Sequence, residues 1–505
     1  MKRCIVIFAL CLISFGLAAM DDTTSDYTFQ VGSEFQPLVL IPQFEVESRS
    51  FMYMRPAYDH LSMREQAWWR FDYPRDRCIN GTIQAIGFFQ DSLHKTPCHG
   101  HNRFARYFLP YGKDEPLMAG DNTPYACIRD LRAEWFNLPS TFSGSLTLNP
   151  SQFQAGFLLQ YNQDLNTLFN SSFFDQSYLS ITVPFIHVKN NLHLEQHHVQ
   201  NPGPDRGGLP QDILQAFNQP AWHFDKIDGP QTKNHFSYLK LTMNRIFMNM
   251  DNYQFAYYSG VVIPTAPKPN PEFLFNAYVG NGQHFGLNAG VALNINLSNL
   301  QDCGLWSFFL DLDGTFLVKN KQHRTVDLRN KPWSRFLLFN RECDPLGTNI
   351  PGVNVLTIRT LVHSFGIFDF ATGFRYSTDW YELEAGYNVW GHDHERLNFV
   401  DPFPAHIGIA SPIPDASGNP QTASTSTIAQ LGAPDPVFVP IKQTDLNLHS
   451  ASAGSSLNQK FHAALSIYKD NDIAPFAGIG MFVDWAHKNS PLPAWGAWAK
   501  LGCSF

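Results

Sequence analysis

The side chains best suited to chemistry fall in three short clusters. His392, Asp393, His394 and Glu395 stand in a row and bring two imidazoles and two carboxylates, the groups that general acid–base catalysis uses. Side chains alternate across an extended chain, so four consecutive residues point to opposite faces and cannot converge on one substrate. No partner carboxylate pair accompanies them. The row reads as a hydrated polar rim, with an enzyme site near His392–Glu395 as the alternative. Cys98-His99-Gly100-His101 and Glu195-Gln196-His197-His198 hold metal-ligating types, but neither is followed by a second ligand pair at fixed spacing, and the chain has no CxxC. GxxxxGK(S/T), GxSxG and HExxH are missing as well. No catalytic residue, metal or cofactor is expected, and the chain does not read as an enzyme.

A second set of residues is more informative because one structural pattern places all of them. Lys240, Asp311, Asp313, Arg359, Asp369, Arg375, Glu382, Glu384 and Lys460, with Lys500, lie on the polar faces of segments whose other face is apolar. These are the expected pore-lining residues. Charges of both signs in a narrow aqueous passage select solutes by charge and dipole. The same residues, paired with one another, would instead seal the interior. Channel and sealed barrel both remain open at the level of sequence.

The segments that must position these residues alternate with period two over 10–14 residues, many times along the chain. In 284–297, Phe285, Leu287, Ala289, Val291, Leu293, Ile295 and Leu297 oppose a face that is polar or tiny. In 304–318, Trp306, Phe308, Leu310, Leu312, Phe316 and Val318 oppose Ser307, Asp311, Asp313 and Thr315. Similar alternation runs through 79–90, 141–148, 152–162, 177–185, 252–263, 366–377, 380–390, 457–469 and, loosely, 474–487. Segments 104–110 and 324–339 are weaker, and Pro332 interrupts the second. The whole predicts an all-β fold, a transmembrane antiparallel barrel of 14 to 16 strands. Aromatics near strand ends (Tyr257, Tyr258, Trp380, Trp390, Trp485, Trp495) are expected to form interfacial girdles.

Composition agrees with a lipid-facing surface. Of 505 residues only 16% are charged, against about 25% in soluble proteins, while 14% are aromatic, and the net charge is −8. Without a basic excess, nucleic acid is not an expected partner. Met1-Lys2-Arg3, the apolar run Ile5–Leu17 and the small residues of Leu17-Ala18-Ala19 read as a cleaved export signal over 1–19. Residues 20–77, with Trp68-Trp69, are expected to be a periplasmic extension or a plug, and 78–505 the barrel. Up-and-down alternation from a periplasmic C-terminus places the long loops 189–235, 265–283 and 393–456 outside, and Asn249-Met250-Asp251 and Thr378-Asp379 inside. Leu209–Phe217 suggests a short helix.

The chain closes with Trp495, Ala497, Ala499, Leu501, Cys503 and Phe505 alternating with Gly496, Lys500, Gly502 and Ser504. An amphipathic last strand with a terminal aromatic resembles the ending of bacterial outer-membrane β-barrels. That resemblance implies residence in the outer membrane of a Gram-negative-type cell, among its lipids. It also implies Phe505 as the signal that the barrel-assembly machinery reads. Gly260 to Thr265, followed by Lys268-Pro269, loosely resembles a stretch of hydrophobic-solute channels of the fatty-acid type. The function expected is a passive channel or transporter for small solutes whose identity the sequence does not give, with a structural or adhesive surface barrel as the alternative. Two finer expectations follow from the topology. Cys303 and Cys343 flank an expected hairpin at its periplasmic base and are expected to form a disulfide. The turn Thr378-Asp379 sets Ser377 opposite Trp380, Arg375 opposite Glu382 and Asp369 opposite Asn388.

Overall fold

The computed structural model describes residues 48–58, 81–93, 103–203, 209–250, 252–300, 304–343, 349–364, 366–411, 437–469, 474–488 and 492–505. The export signal 1–19, Trp68-Trp69, Cys98–His101 and Cys303 lie outside the described residues. Twelve long strands dominate: β1 (Gly81–Ser92), β2 (Ser151–Asp164), β3 (Ser177–Asn191), β4 (Tyr238–Asn249), β5 (Tyr253–Pro264), β6 (Gly286–Leu300), β7 (Gly304–Leu317), β8 (Gly366–Ser377), β9 (Tyr381–His392), β10 (Ser456–Tyr468), β11 (Ala474–Lys488) and β12 (Ala494–Ser504). Each pairs antiparallel with the next, and β12 pairs back onto β1 over Thr82–Ser92, so the sheet closes on itself. At the seam the Gly81 N–H donates to the Phe505 carbonyl at 2.8 Å, and the Phe505 N–H donates back at 2.9 Å.

Sequence dictates this closure through its faces. The apolar set of each strand points outward, so Leu287 is 51% exposed while its neighbour Asn288 is 3% exposed. The same inversion sets exposed Trp306 and Phe316 against buried Ser307, Asp311 and Asp313. A water-soluble barrel would do the reverse. In a bilayer no water satisfies a free strand edge, so only closure leaves every backbone group paired. Strands of 11–15 residues meet or exceed the 9–11 that a tilted crossing needs. Among the described residues no helix is long and apolar enough to cross a membrane. The chain is a membrane-spanning antiparallel β-barrel of the outer-membrane type.

The barrel has twelve strands, not 14 to 16. Three segments expected to cross are too short and belong to the loops: 104–110 holds tight 3-10 turns, 141–148 a five-residue strand (Ser143–Thr147), and 324–339 breaks at Trp333 into small pieces. Trp333 takes a left-handed φ of 64° just after Pro332, which ends any strand there. With twelve strands the topology rule holds around the whole ring. Connections at the end carrying Gly81 and Phe505 are short, while 93–150, 192–237, 265–285, 318–365 and 393–455 are long and share the opposite, outer end.

These long connections fold into a layer with its own apolar cores. One joins Phe136, Phe217, Trp222, Trp333 and Phe336, with Trp222 and Phe336 stacked at 5.3 Å. A second joins Val326, Leu337, Phe339, Leu356 and Ile409. The expected helix in 209–217 is a single turn, Ile213–Ala216. The disulfide expectation fails on the same ground as the extra strands. Cys343 follows the outer-layer strand Leu338–Arg341 and is an exposed free thiol, whereas Gly304, next to Cys303, sits at the inner end of β7. Two aromatics also leave the girdle: Tyr258 and Trp390 are fully buried inside the ring, while Tyr257, Trp380, Trp485 and Trp495 face outward.

The β8–β9 hairpin differs from its expected register by two residues. Ser377 pairs with Glu382 and Arg375 with Glu384, because the turn spans four residues closed by the Thr378 N–H donating to the Tyr381 carbonyl at 2.9 Å. Asp369 accordingly opposes Trp390, and Ala371 opposes Asn388. A shift of two keeps every side chain on its face. The division into inner and outer sides therefore stands, with the cross-strand partners corrected.

Candidate functional site

The inner wall gathers the charged residues that alternation assigned to it. Lys240, Asp311, Asp313, Asp369, Arg375, Glu382, Glu384 and Lys460 are all buried on the inner face. Arg359 is not among them. It lies in the short outer-layer strand Thr357–His363, where it pairs with Asp401 at 2.9 Å and is half exposed. Segment 357–363 alternates like a wall strand, but it is only seven residues long.

Two groups of charge form at different heights. Toward the inner end, Arg375 lies 3.2 Å from Glu382 and 3.8 Å from Glu384, and His462 meets Glu384 at 2.9 Å. Glycine makes room here, since a Cβ at Gly386 would collide with the His462 ring. Nearer the outer layer, Lys240 pairs with Asp313 at 3.1 Å. The Tyr258 hydroxyl donates to Asp313 at 3.0 Å and Asn288 donates to it at 2.8 Å. Asp313 and Asp369 are direct cross-strand partners on β7 and β8. Opposed like charges are destabilising unless cations accompany them, and here each carboxylate has one.

The cation beside Asp369 comes from outside the barrel wall. Residues 48–58 run from the outer layer into the ring and touch both of its sides. The Arg55 guanidinium is fully buried, 3.6 Å from Asp369 and 3.5 Å from Asp484 on β11, and it donates to the Asn388 side chain. Across the lumen, the Ala57 N–H donates to Gln154 at 2.9 Å, and Gln154 donates to the Arg55 carbonyl at 3.0 Å. Tyr58 packs on Phe88 and Tyr238, and its hydroxyl meets Ser237. Above, Tyr53 stacks on Trp390 at 6.3 Å, and Arg49 donates to the Ser452 carbonyl at 2.7 Å in the outer layer. Ser48 and Arg335 continue that contact: Arg335 binds the Ser48 carbonyl, Asp327 and Asp225 together.

Arg55, Asn388, Tyr258, Trp390 and Asp484 are site residues that sequence reasoning missed. Asp484 was legible in principle, since it alternates with outward Val483 and Trp485; inward Phe476 and Phe482 blur that strand's polar face. Arg55 carries no such signal, because 48–58 has no period to place it.

The His392–Glu395 row is spent on structure. Glu395 is buried against Arg324 at 3.4 Å and accepts the Ala453 N–H at 2.9 Å. His392 packs edge-on against Tyr53, and His394 lies over His449. In the other cluster, His197 bonds the Thr147 hydroxyl at 2.9 Å. Among the described residues no three His, Cys, Asp or Glu side chains gather as a metal site.

No protein-family model matches the chain, and no curated protein sequence does. Solved structures similar to it are membrane barrels. An outer membrane channel from Pseudomonas putida F1 is 11% identical, over 86% of this chain and 98% of that one, with a TM-score of 0.37. The transport unit of the autotransporter AIDA-I from Escherichia coli is 8% identical over 89% and 99%, with a TM-score of 0.32. A FadL homologue from Pseudomonas aeruginosa is 7% identical over 85% and 89%, with a TM-score of 0.26. At such identities and scores no residue role transfers from any of them to this chain.

Proposed function

We propose that the protein is a channel of the outer membrane, a passive route for small solutes, whose lumen is occupied at rest by residues 48–58. One observation carries this: a closed ring with a charged inner wall holds an internal segment that belongs to none of its strand ladders. A barrel needed only as a scaffold can fill its interior with its own wall residues. Here a separate stretch of chain, anchored by the Arg49 and Arg55 guanidinium groups, by packed rings at Tyr53 and Tyr58 and by hydrogen bonds, fills the space instead. Hydrogen bonds of this kind contribute only about 1 kcal/mol each net, more where charged groups take part. None of the ring's strand pairings uses residues 48–58, so withdrawal of the segment leaves every ladder of the twelve-strand ring in place. Export through a cleaved signal over 1–19 and insertion guided by Phe505 complete the proposal, with outer-membrane lipids and the barrel-assembly machinery as partners.

Planar-bilayer conductance tests it. Replacing 48–58 by a Gly/Ser stretch of equal length should raise single-channel conductance above that of the wild type. A replaced protein that inserts, shows heat-modifiable gel migration and still conducts nothing would leave a sealed structural barrel as the function.

A further inference from the structure

The seat of Arg55 has the features of a binding site for something else. Asp369, Asn388, Lys460 and Asp484 come from four adjacent strands, β8 to β11. Asn388 opposes Lys460, and Lys460 opposes Asp484, so they form one band around the wall. Asp313 and Lys240 flank it on β7 and β4. At this height the wall supplies four carboxylates (Asp311, Asp313, Asp369, Asp484) against two ammonium groups (Lys240, Lys460), all of them buried. The wall alone is deficient in positive charge, and Arg55 brings part of what is missing.

Arg55 meets that need imperfectly. Its nitrogens stop 3.5 and 3.6 Å from the two carboxylates, beyond the 2.7–2.9 Å of a charge-assisted hydrogen bond. Among the described residues Asp369 Oδ2 accepts no hydrogen bond, although Asp369 is only 5% exposed, and Arg55 Nε and Nη1 donate none. Backbone contacts explain the misfit, since the Ala57 N–H and Arg55 carbonyl are both held by Gln154 on the opposite wall. A free cation has no such tether. Trp390 offers its ring face 5.7 Å from the guanidinium carbon. A cavity of about 60 Å3, lined by Tyr53, Lys240, Asp313, Asp369 and Trp390 among others, opens beside the seat. Planar charge, two carboxylates and an aromatic face together suit a guanidinium.

We propose that Asp369 and Asp484 form a recognition site for a guanidinium-bearing solute, and that Arg55 is its tethered stand-in. The proposal rests on the channel reading for its biological use but not for its chemistry. The solute competes with Arg55 for the two carboxylates, and its arrival loosens residues 48–58. Solutes without a cationic head leave Arg55 in place.

The test is a calorimetric titration of the folded, full-length protein with ethylguanidinium and with the neutral isostere ethylurea. Arg55→Ala and Arg55→Gln should bind ethylguanidinium about tenfold or more tighter than wild type. Adding Asp369→Asn to either should abolish the gain, and ethylurea should bind none of them. Equal binding of both probes, or no gain on removing Arg55, would overturn the site. Should neither variant assemble, a cysteine pair at Ala57 and Gln154 decides: ethylguanidinium, and not ethylurea, must lower its cross-linking yield. Conductance separates the two proposals. Ethylguanidinium binding without any conductance removes the channel and keeps the site, while conductance without ethylguanidinium binding removes the site and keeps the channel.

Discussion

Asp225 is buried in the outer layer with Arg335 at 3.3 Å, and loss of water pushes its carboxyl up to about 6, more than Arg335 can offset. A carboxyl whose folded value exceeds its unfolded one binds a proton on folding. Its contribution is complete below about pH 4 and is lost as the pH rises through 6. That elevation corresponds to roughly 3 kcal/mol. The outer layer should therefore resist protease better at pH 5 than at pH 8. Asp225→Asn should flatten that dependence, and an unchanged pH profile in the variant would assign it to another group. Residue-level legibility in the sequence followed the same physics of surroundings. Asp311, Asp313, Asp369, Arg375, Glu382 and Glu384 lie on the inner face because a two-residue period leaves each only one face to occupy. Arg359 was misplaced because seven alternating residues look alike in a wall and in a loop. Arg55 was invisible, since its partners lie hundreds of positions away.

At the scale of elements, length decided what period alone could not. Every uninterrupted alternating segment of eleven or more residues became a wall strand, whereas 324–339, broken at Pro332, and 141–148 stayed outside, the latter with Phe142, Leu146 and Leu148 in an apolar core of the loops. Turn geometry decided the register. With four residues in the β8–β9 turn, Phe374 opposes Ala385 on the lipid face. Opposed Cα atoms lie about 4.5–5.5 Å apart, within reach of a disulfide. Cysteines at Phe374 and Ala385 should cross-link on oxidation, and cysteines at Phe374 and Leu383 should do so far less; the opposite ranking would restore the two-residue turn. The last strand makes a separate prediction. Phe505 pairs with Gly81 through both backbone bonds at the seam where the ring closes. Deleting it should lower the amount of inserted barrel severalfold without reducing export across the inner membrane, as read by fractionation and heat-modifiable migration. Normal insertion would deny Phe505 its assembly role.

For the whole molecule, the lipid-facing ring was legible because its polarity is inverted along every strand. The outer layer was not, because its cores join Phe136, Trp222 and Phe336 from connections that show no common period. Nor was the course of residues 48–58, which bridge that layer and the lumen through Arg49, Tyr53, Arg55 and Tyr58. In the proposed channel this segment governs passage through the ring. A cysteine pair at Ala57 and Gln154, in a background whose native cysteines are serine, allows the segment to be fixed and released in one protein. Single-channel recording should show openings under reducing conditions, their loss on oxidation, and their return when reductant is added. Openings of equal size and frequency in the oxidised and reduced states would contradict the account.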